Sequence, residues 1–333
     1  MPPVHAQISG SPALLWKSEG KAVAAILVIP GNPGICGYYE EYLEALHNAL
    51  GRRCTILCLS LLGHQGSGPR PSGTSTAFGT RRCFFTVSDQ IDAVLHAVDR
   101  LESLHEGRVP ILLIGHSFGA YAAQRVFATQ SHRIESVHYL FPALANIAQQ
   151  PRAKRIQLLI NPYGAVLLSW VAAFFALLPY FVVLSFVMLV TGMRGNAATI
   201  TTNMIRSPNT VFNVLSMARD EMNVIRDFGP DTLRATAGAP ARNQTVRAFW
   251  APGNADSWAP TKARAYAEEQ LHLEQVALSN ELLKLPFRSS TLCRDMNHAF
   301  VLHRSKEMAE ITAAFIATDL AARNARLMRE VGV

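Results

Sequence analysis

A chain of 333 residues has room for one large α/β domain with an insertion or for two ordinary domains, and this length excludes a disulfide-stapled miniprotein. Apolar residues make up 49% and charged residues 17%, which excludes a disordered chain and points to a part that meets lipid. The 31 lysines and arginines outweigh 24 acidic residues to give +7, a balance suited to an anionic membrane surface or to nucleic acid.

The first 17 residues contain no apolar run of the length a signal peptide needs, so secretion is not expected. The first buried strand is predicted over 22–29, stopped by Pro30-Gly31-Asn32-Pro33-Gly34. A helix fits 38–50, and a strand over 55–59 runs into Gly63-His64-Gln65-Gly66, where His64 takes a rim position. The polar stretch from there to Thr80 predicts a long surface loop. Over 87–105, Ile91, Val94, Leu95, Val98 and Leu101 recur at the spacing of a core-facing helix. A strand over 110–114 then ends in Gly115-His116-Ser117-Phe118-Gly119, followed by a helix over 120–130 and a strand over 137–141. This alternation predicts an α/β protein with a mostly parallel, doubly wound sheet.

Residues 156–193 contain no Asp, Glu, Lys or Arg. Pro179 divides this segment into 165–178 and 180–190, each too short to cross a bilayer. Arg152, Lys154 and Arg155 before it and Arg194 after it favour keeping both ends on the cytosolic face. The reading is a hydrophobic hairpin dipping into one lipid leaflet, with Trp170, Tyr180 and Tyr163 at the interface; a buried helix pair is the alternative. Residues 194–239 read as helical, notably 211–226. α/β alternation resumes with a strand over 245–251, a helix over 261–276, a strand over 287–292 and a closing helix over 306–322. The expected organisation is a core from 1–150 and 240–333, with a helical lid over 151–239 that carries the hairpin.

G-x-S-x-G between a strand and a helix marks Ser117 as a candidate nucleophile, flanked by Gly115 and Gly119 because side chains there would strike the neighbouring strand and helix. A serine hydroxyl needs an imidazole to take its proton and a carboxylate to orient that imidazole. His298, after the last predicted strand and before the last helix, has the right place in chain order, with His303 as its competitor. Asp256 follows the 245–251 strand and is the candidate acid; Asp227, Asp231 and Asp295 follow no predicted strand directly. Backbone N–H groups of Phe118 and Asn32 are the candidate oxyanion donors, since Gly31 permits close approach and Pro33 has no N–H. No metal, dinucleotide or phosphate-loop pattern is evident, so no cofactor is expected. Basic residues lack interleaved aromatics, which argues against nucleic acid. Cys36, Cys54, Cys58, Cys83 and Cys293 form no CxxC or zinc spacing and fit a reducing, cytosolic compartment.

Five segments in order, the 28–34 run with Tyr38-Tyr39, Gly115 to Tyr121, Leu140-Phe141-Pro142, Ala218-Arg219-Asp220-Glu221-Met222 and Asn297-His298-Ala299-Phe300-Val301, together resemble the lipid droplet-associated hydrolases. The resemblance spans roughly 22–305. It implies an α/β-hydrolase fold, a serine esterase acting on lipids at lipid droplets and the endoplasmic reticulum, and Ser117, Asp256 and His298 as triad. The expected partners are therefore a lipid ester substrate and a droplet monolayer or endoplasmic reticulum membrane. A catalytically idle, lipid-anchored protein that binds or organises lipid is the rival from a different class, and a soluble esterase whose apolar stretch is a lid core is a third reading.

Overall fold

The computed structural model describes residues 2–65, 71–251, 254–275 and 296–330. The chain opens with an antiparallel hairpin of β1 (Val4–Ile8) and β2 (Ser11–Trp16). Hydropathy alone marks these strands weakly: β1 is largely exposed, and β2 opens on Ser11-Pro12 with only the four apolar residues 13–16 behind them. β3 (Ala24–Ile29) is buried throughout, a tight 3₁₀ turn spans Cys36–Tyr39, and α1 (Glu40–Ala49) and β4 (Cys54–Leu59) follow.

The stretch expected to be a long surface loop instead contains a second small hairpin, β5 (Gly73–Ala77) and β6 (Thr80–Phe84). Phe78 and Gly79 turn it with φ of 49° and 72°. Only Ser75, Ala77 and Phe84 are buried in these strands, so no apolar run betrays them.

α2 (Val87–Leu104) begins at a capping box between Thr86 and Asp89 and buries Val94, Ala97, Val98 and Leu101. β7 (Ile111–His116), α3 (Phe118–Gln130) and β8 (Ile134–Leu140) complete the first half. Six helices are inserted before the next strand: α4 (Pro151–Ile160), α5 (Pro162–Leu177), α6 (Tyr180–Thr191), α7 (Gly195–Ile205), α8 (Pro208–Val224) and α9 (Pro230–Ala237). The sheet resumes with β9 (Thr245–Phe249), α10 (Thr261–Leu271) and β10 (Glu274–Gln275), and the described chain ends in α11 (Phe300–His303) and α12 (Ser305–Glu330). The helix expected over 261–276 stops at Leu271 because His272 is left-handed (φ 47°), and the chain then enters β10. The strand expected over 287–292, Cys293 and Asp295 lie outside the described residues.

The strand order is β1-β2-β4-β3-β7-β8-β9-β10, antiparallel at β1/β2 and β2/β4 and parallel elsewhere. One face packs on α2 and α3, the other on α1 and α12, each through its own apolar cluster. The chain winds outward from β3 in one direction and from β7 in the other, and open sheets bind ligands at the carboxyl ends flanking such a switch.

The inserted helices behave differently from the core. The break between α5 and α6 falls at Leu178 and Pro179, as the sequence predicts. Helix ends leave carbonyls without partners, and here the Arg206 guanidinium serves Phe175, Ala176 and Leu178 while lying 5.5 Å from the Tyr180 ring centroid. At the other end of α5 the Asn161 side chain accepts the Gly164 N–H. Leu167, Trp170, Phe174, Leu177, Phe181 and Leu189 all remain exposed, the two most open being Leu177 at 84% and Leu189 at 85%. The tip residue of the second hairpin, Phe78, stacks on Trp170 at 5.3 Å and meets Tyr163 edge-on at 5.2 Å. Among the described residues no single helix is long and apolar enough to cross a membrane, though α4 with α5 and α6 with α7 form bent pairs of sufficient apolar length.

Candidate active site

β7 runs directly into Ser117, which holds φ 54° and ψ −119°, a conformation outside the regions where L-residues rest comfortably. The packing around it explains why the turn is tight. A Cβ on Gly119 would come within 2.0 Å of the Ile29 carbonyl oxygen, and one on Gly115 within 2.4 Å of the Gly119 carbonyl oxygen. Hydrogen bonds from Ser117 N–H to the Leu140 carbonyl and from Ala143 N–H to the Ser117 carbonyl pin the turn to the end of β8.

The Ser117 Oγ lies 2.9 Å from His298 Nε2, and His298 Nδ1 lies 2.8 Å from Asp256 Oδ2. An ionised carboxylate only accepts, so Nδ1 carries the proton and Nε2 accepts from the serine hydroxyl. Asp256 is 2% exposed, far from a solvated turn residue, and its other oxygen accepts the Trp258 N–H at 2.8 Å. His303 sits exposed on α11, and Asp227 bonds Tyr266 Oη and the Phe228 N–H.

The loop after β3 closes over Ser117: a Cβ on Gly31 would lie 2.7 Å from the Ser117 Cβ. The Phe118 N–H, first in α3, has no intrahelical acceptor, and the Asn32 backbone stands in the loop opposite. The Asn32 side chain turns away, its Nδ2 donating to the Val214 carbonyl and to Glu221 Oε1 on α8. Ser117 and His298 open on a cavity of about 240 Å³ walled by Tyr38, Met193, Met204, Val301 and Leu302.

Several residues of this neighbourhood carry no local sequence signal. The Gly31 N–H donates to Tyr39 Oη at 2.9 Å, and Tyr39 Oη is 2.5 Å from His116 Nδ1. His116 Nε2 meets the His298 carbonyl at 2.9 Å, which requires the proton on Nε2 and makes Nδ1 the acceptor of the tyrosine hydroxyl. Burial, with the neighbouring His298, holds His116 well below the ordinary histidine range, so it stays neutral. His64 is buried rather than at a rim; its Nδ1 accepts the Gly34 N–H at 3.0 Å, and burial pushes it down to about 3. Tyr39 and His116 read in the sequence as parts of motifs, and only the fold reveals that they connect the loop after β3 to the loop carrying His298.

The model of the lipid-droplet associated hydrolases matches residues 23–301. The chain belongs to that family. Among curated relatives it is similar to the lipid droplet-associated hydrolases of Gallus gallus (28% identical, 92% of this chain and 89% of that one) and Drosophila melanogaster (24%, 87% and 88%). The Homo sapiens protein of the same name is 22% identical over 89% of this chain and 85% of its own. Among solved structures it superposes on the haloalkane dehalogenase DbeA of Bradyrhizobium elkani with a TM-score of 0.64 at 14% identity, covering 96% and 99% of the two chains. The haloalkane dehalogenase DatA of Agrobacterium tumefaciens gives 0.64 at 15%, covering 95% and 96%. The fold is that of the α/β-hydrolases, and family and fold together make this member a hydrolase.

Proposed function

We propose that the protein is a serine ester hydrolase of lipids, acting on sterol esters or other neutral lipid esters at the cytosolic face of a lipid droplet or the endoplasmic reticulum. The observation that carries this reading is the continuous hydrogen-bonded line from Ser117 Oγ through His298 to Asp256, at 2.9 and 2.8 Å. In the proposed reaction Ser117 Oγ adds to the ester carbonyl carbon as its proton passes to His298 Nε2. Asp256 holds the ring and balances the imidazolium charge. The carbonyl oxygen becomes an oxyanion facing the N–H groups of Phe118 and Asn32. Collapse breaks the bond to the alcohol, which leaves with the proton from Nε2. Water then repeats the sequence on the acyl-enzyme, releasing the acid and restoring Ser117. Tyr39, Met193 and Met204 around the cavity would receive the acyl chain.

The same reading treats 151–239 as a lid whose α5 and α6 enter a lipid surface. Exposed patches of this kind mark interaction sites on soluble proteins, and Trp170 and Tyr180 suit the polar edge of such a layer. With Pro179 at the break, α5 and α6 enter and return, leaving both ends of the insertion on the side of the hydrolase core. The names of the relatives support droplet association.

The test is labelling of the purified protein with a fluorophosphonate, beside hydrolysis of cholesteryl oleate and triolein presented in phospholipid-coated emulsions. Both should occur in the native protein and vanish in Ser117→Ala. Droplet binding without labelling or turnover would instead support the lipid-binding or lipid-organising role.

A further inference from the structure

The loop of residues 30–34 is held at four points, one of them the Gly34 carbonyl, which accepts the Leu61 N–H at 2.7 Å. Gly31 N–H is bound by Tyr39 Oη and Gly34 N–H by His64 Nδ1, both partners belonging to the first half of the core. The Asn32 side chain is the latch that crosses to the inserted helices: its Nδ2 donates to the Val214 carbonyl at 3.0 Å and to Glu221 Oε1 at 2.9 Å. A peptide carbonyl can only accept, so Val214 fixes which end of the Asn32 amide faces α8 and aims the second hydrogen at Glu221. That orientation leaves Asn32 Oδ1 buried without a partner among the described residues. A polar atom left in that state is costly, so the amide keeps this pose only while both acceptors stand opposite its nitrogen.

We propose that Glu221 is a positioning residue: by holding the Asn32 side chain to α8, it keeps the Gly31 and Asn32 backbone at the spacing from Ser117 that ester hydrolysis needs. The inference rests on the reading of Ser117 as the nucleophile. Glu221 is buried and burial pushes it up to about 8, so at neutral pH it presents an uncharged carboxyl to the amide. Its neighbour Asp220 points elsewhere, accepting the Val87 N–H at the start of α2 at 2.8 Å. The two adjacent acids thus divide the work, one seating α8 on the core and the other reaching the loop after β3. α8 in turn packs Phe212 and Leu215 against Ala165 and Val166 of α5, whose other side carries the exposed apolar residues. One helix therefore separates the oxyanion loop from the surface proposed to meet lipid.

The test compares the native protein with Glu221→Gln, which keeps a neutral acceptor, and Glu221→Ala, which does not. Two readouts are taken at pH 7: kcat for a short p-nitrophenyl ester per fluorophosphonate-titrated site, and amide hydrogen exchange of the peptide spanning residues 28–36. Glu221→Ala should lose about tenfold in kcat with KM within twofold, and exchange in that peptide should quicken about tenfold; Glu221→Gln should match the native protein in both. Native exchange and native kcat in Glu221→Ala would overturn the proposal, as would equal loss in both variants. Should the peptide loosen in Glu221→Ala while no form of the protein turns over ester or labels at Ser117, the latch stands and the esterase reading falls.

Discussion

The phenol of Tyr39 stands 2.5 Å from Nδ1 of His116 and at the same time receives the N–H of Gly31. Through the other nitrogen of His116 the line continues to the carbonyl of His298, so the loop facing Ser117 and the loop carrying His298 are tied by one chain of hydrogen bonds. Tyr39→Phe keeps the ring and cuts the line on both sides. We expect kcat for a short ester to fall about tenfold and stability to fall by about 1–3 kcal/mol, the cost of leaving a buried partner unmet; steady-state kinetics and urea unfolding measure the two. Wild-type kcat in this variant would show that the line has no part in catalysis.

Asp256→Asn should lower kcat by on the order of 10³–10⁴-fold, because the amide can no longer hold His298 in the tautomer that accepts from Ser117. His303→Ala, at an exposed position on α11, should stay within twofold of the native protein. Comparing the two with the same ester separates the histidine that Asp256 orients from its sequence neighbour: a dead His303→Ala beside an active Asp256→Asn would refute the assignment.

Gly31→Ala places a methyl group 2.7 Å from the Ser117 Cβ, closer than carbon atoms approach. Overpacking of this kind costs about 1–3 kcal/mol, and the strain falls on the nucleophile itself. Fluorophosphonate labelling should slow at least a hundredfold, with circular dichroism unchanged. Labelling at the native rate would mean that the loop yields without consequence.

For lipid attachment the residues to change are those that face outward. Val183 is fully buried and a charge there would damage the fold, whereas Leu177, Phe181, Leu189 and Val190 are exposed. Replacing those four with aspartate should move the protein from floated droplets to the soluble fraction while leaving Ser117 labelling intact. Retention on droplets by the fourfold variant would remove the hairpin from the attachment surface.

Stability should also respond to pH through Glu221. Its ordinary value is 4.5 and burial raises it to about 8, so between these limits the folded state binds more protons than the unfolded one. Stability therefore falls as pH rises through that window. Glu221→Gln removes the titration. Chemical denaturation at pH 5 and pH 9 should show a smaller loss in the variant than in the native protein, and an equal loss would assign the pH dependence to other groups.

How far the sequence alone reaches depends on whether a signal is local. β3, β4 and β7 are buried throughout at the centre of the sheet and carry the apolar runs 24–29, 56–59 and 111–114, and such runs announce themselves. β5 carries Gly-Thr-Ser-Thr-Ala and is a strand only because Phe78 and Gly79 turn it back onto β6. The same division holds at the site. Ser117 sits where a strand meets a helix and His298 where the chain approaches its closing helices, positions that chain order alone can indicate. Glu221 stands in the sequence only as one acid of the 218–222 segment, with no sign of its role, since its meeting with Asn32 is made by the docking of α8 and not by any spacing. His64 likewise looks like a loop residue until Gly34 is brought against it.

Gly31 and Ser117 shape each other's turns across the parallel pair β3 and β7, where Ile29 faces Gly115. During synthesis residues 30–34 leave the ribosome well before residue 117, and residue 298 comes last. The loop after β3 has nothing to close against until β7 is in place, and Ser117 has no imidazole at its side until residue 298 has been made. The proposed triad is thus assembled only after the oily helices, which lie between residues 117 and 298, have already been made. A nick that lets β3 part from β7 would take Gly31 away from Ser117 without altering a single atom of the serine.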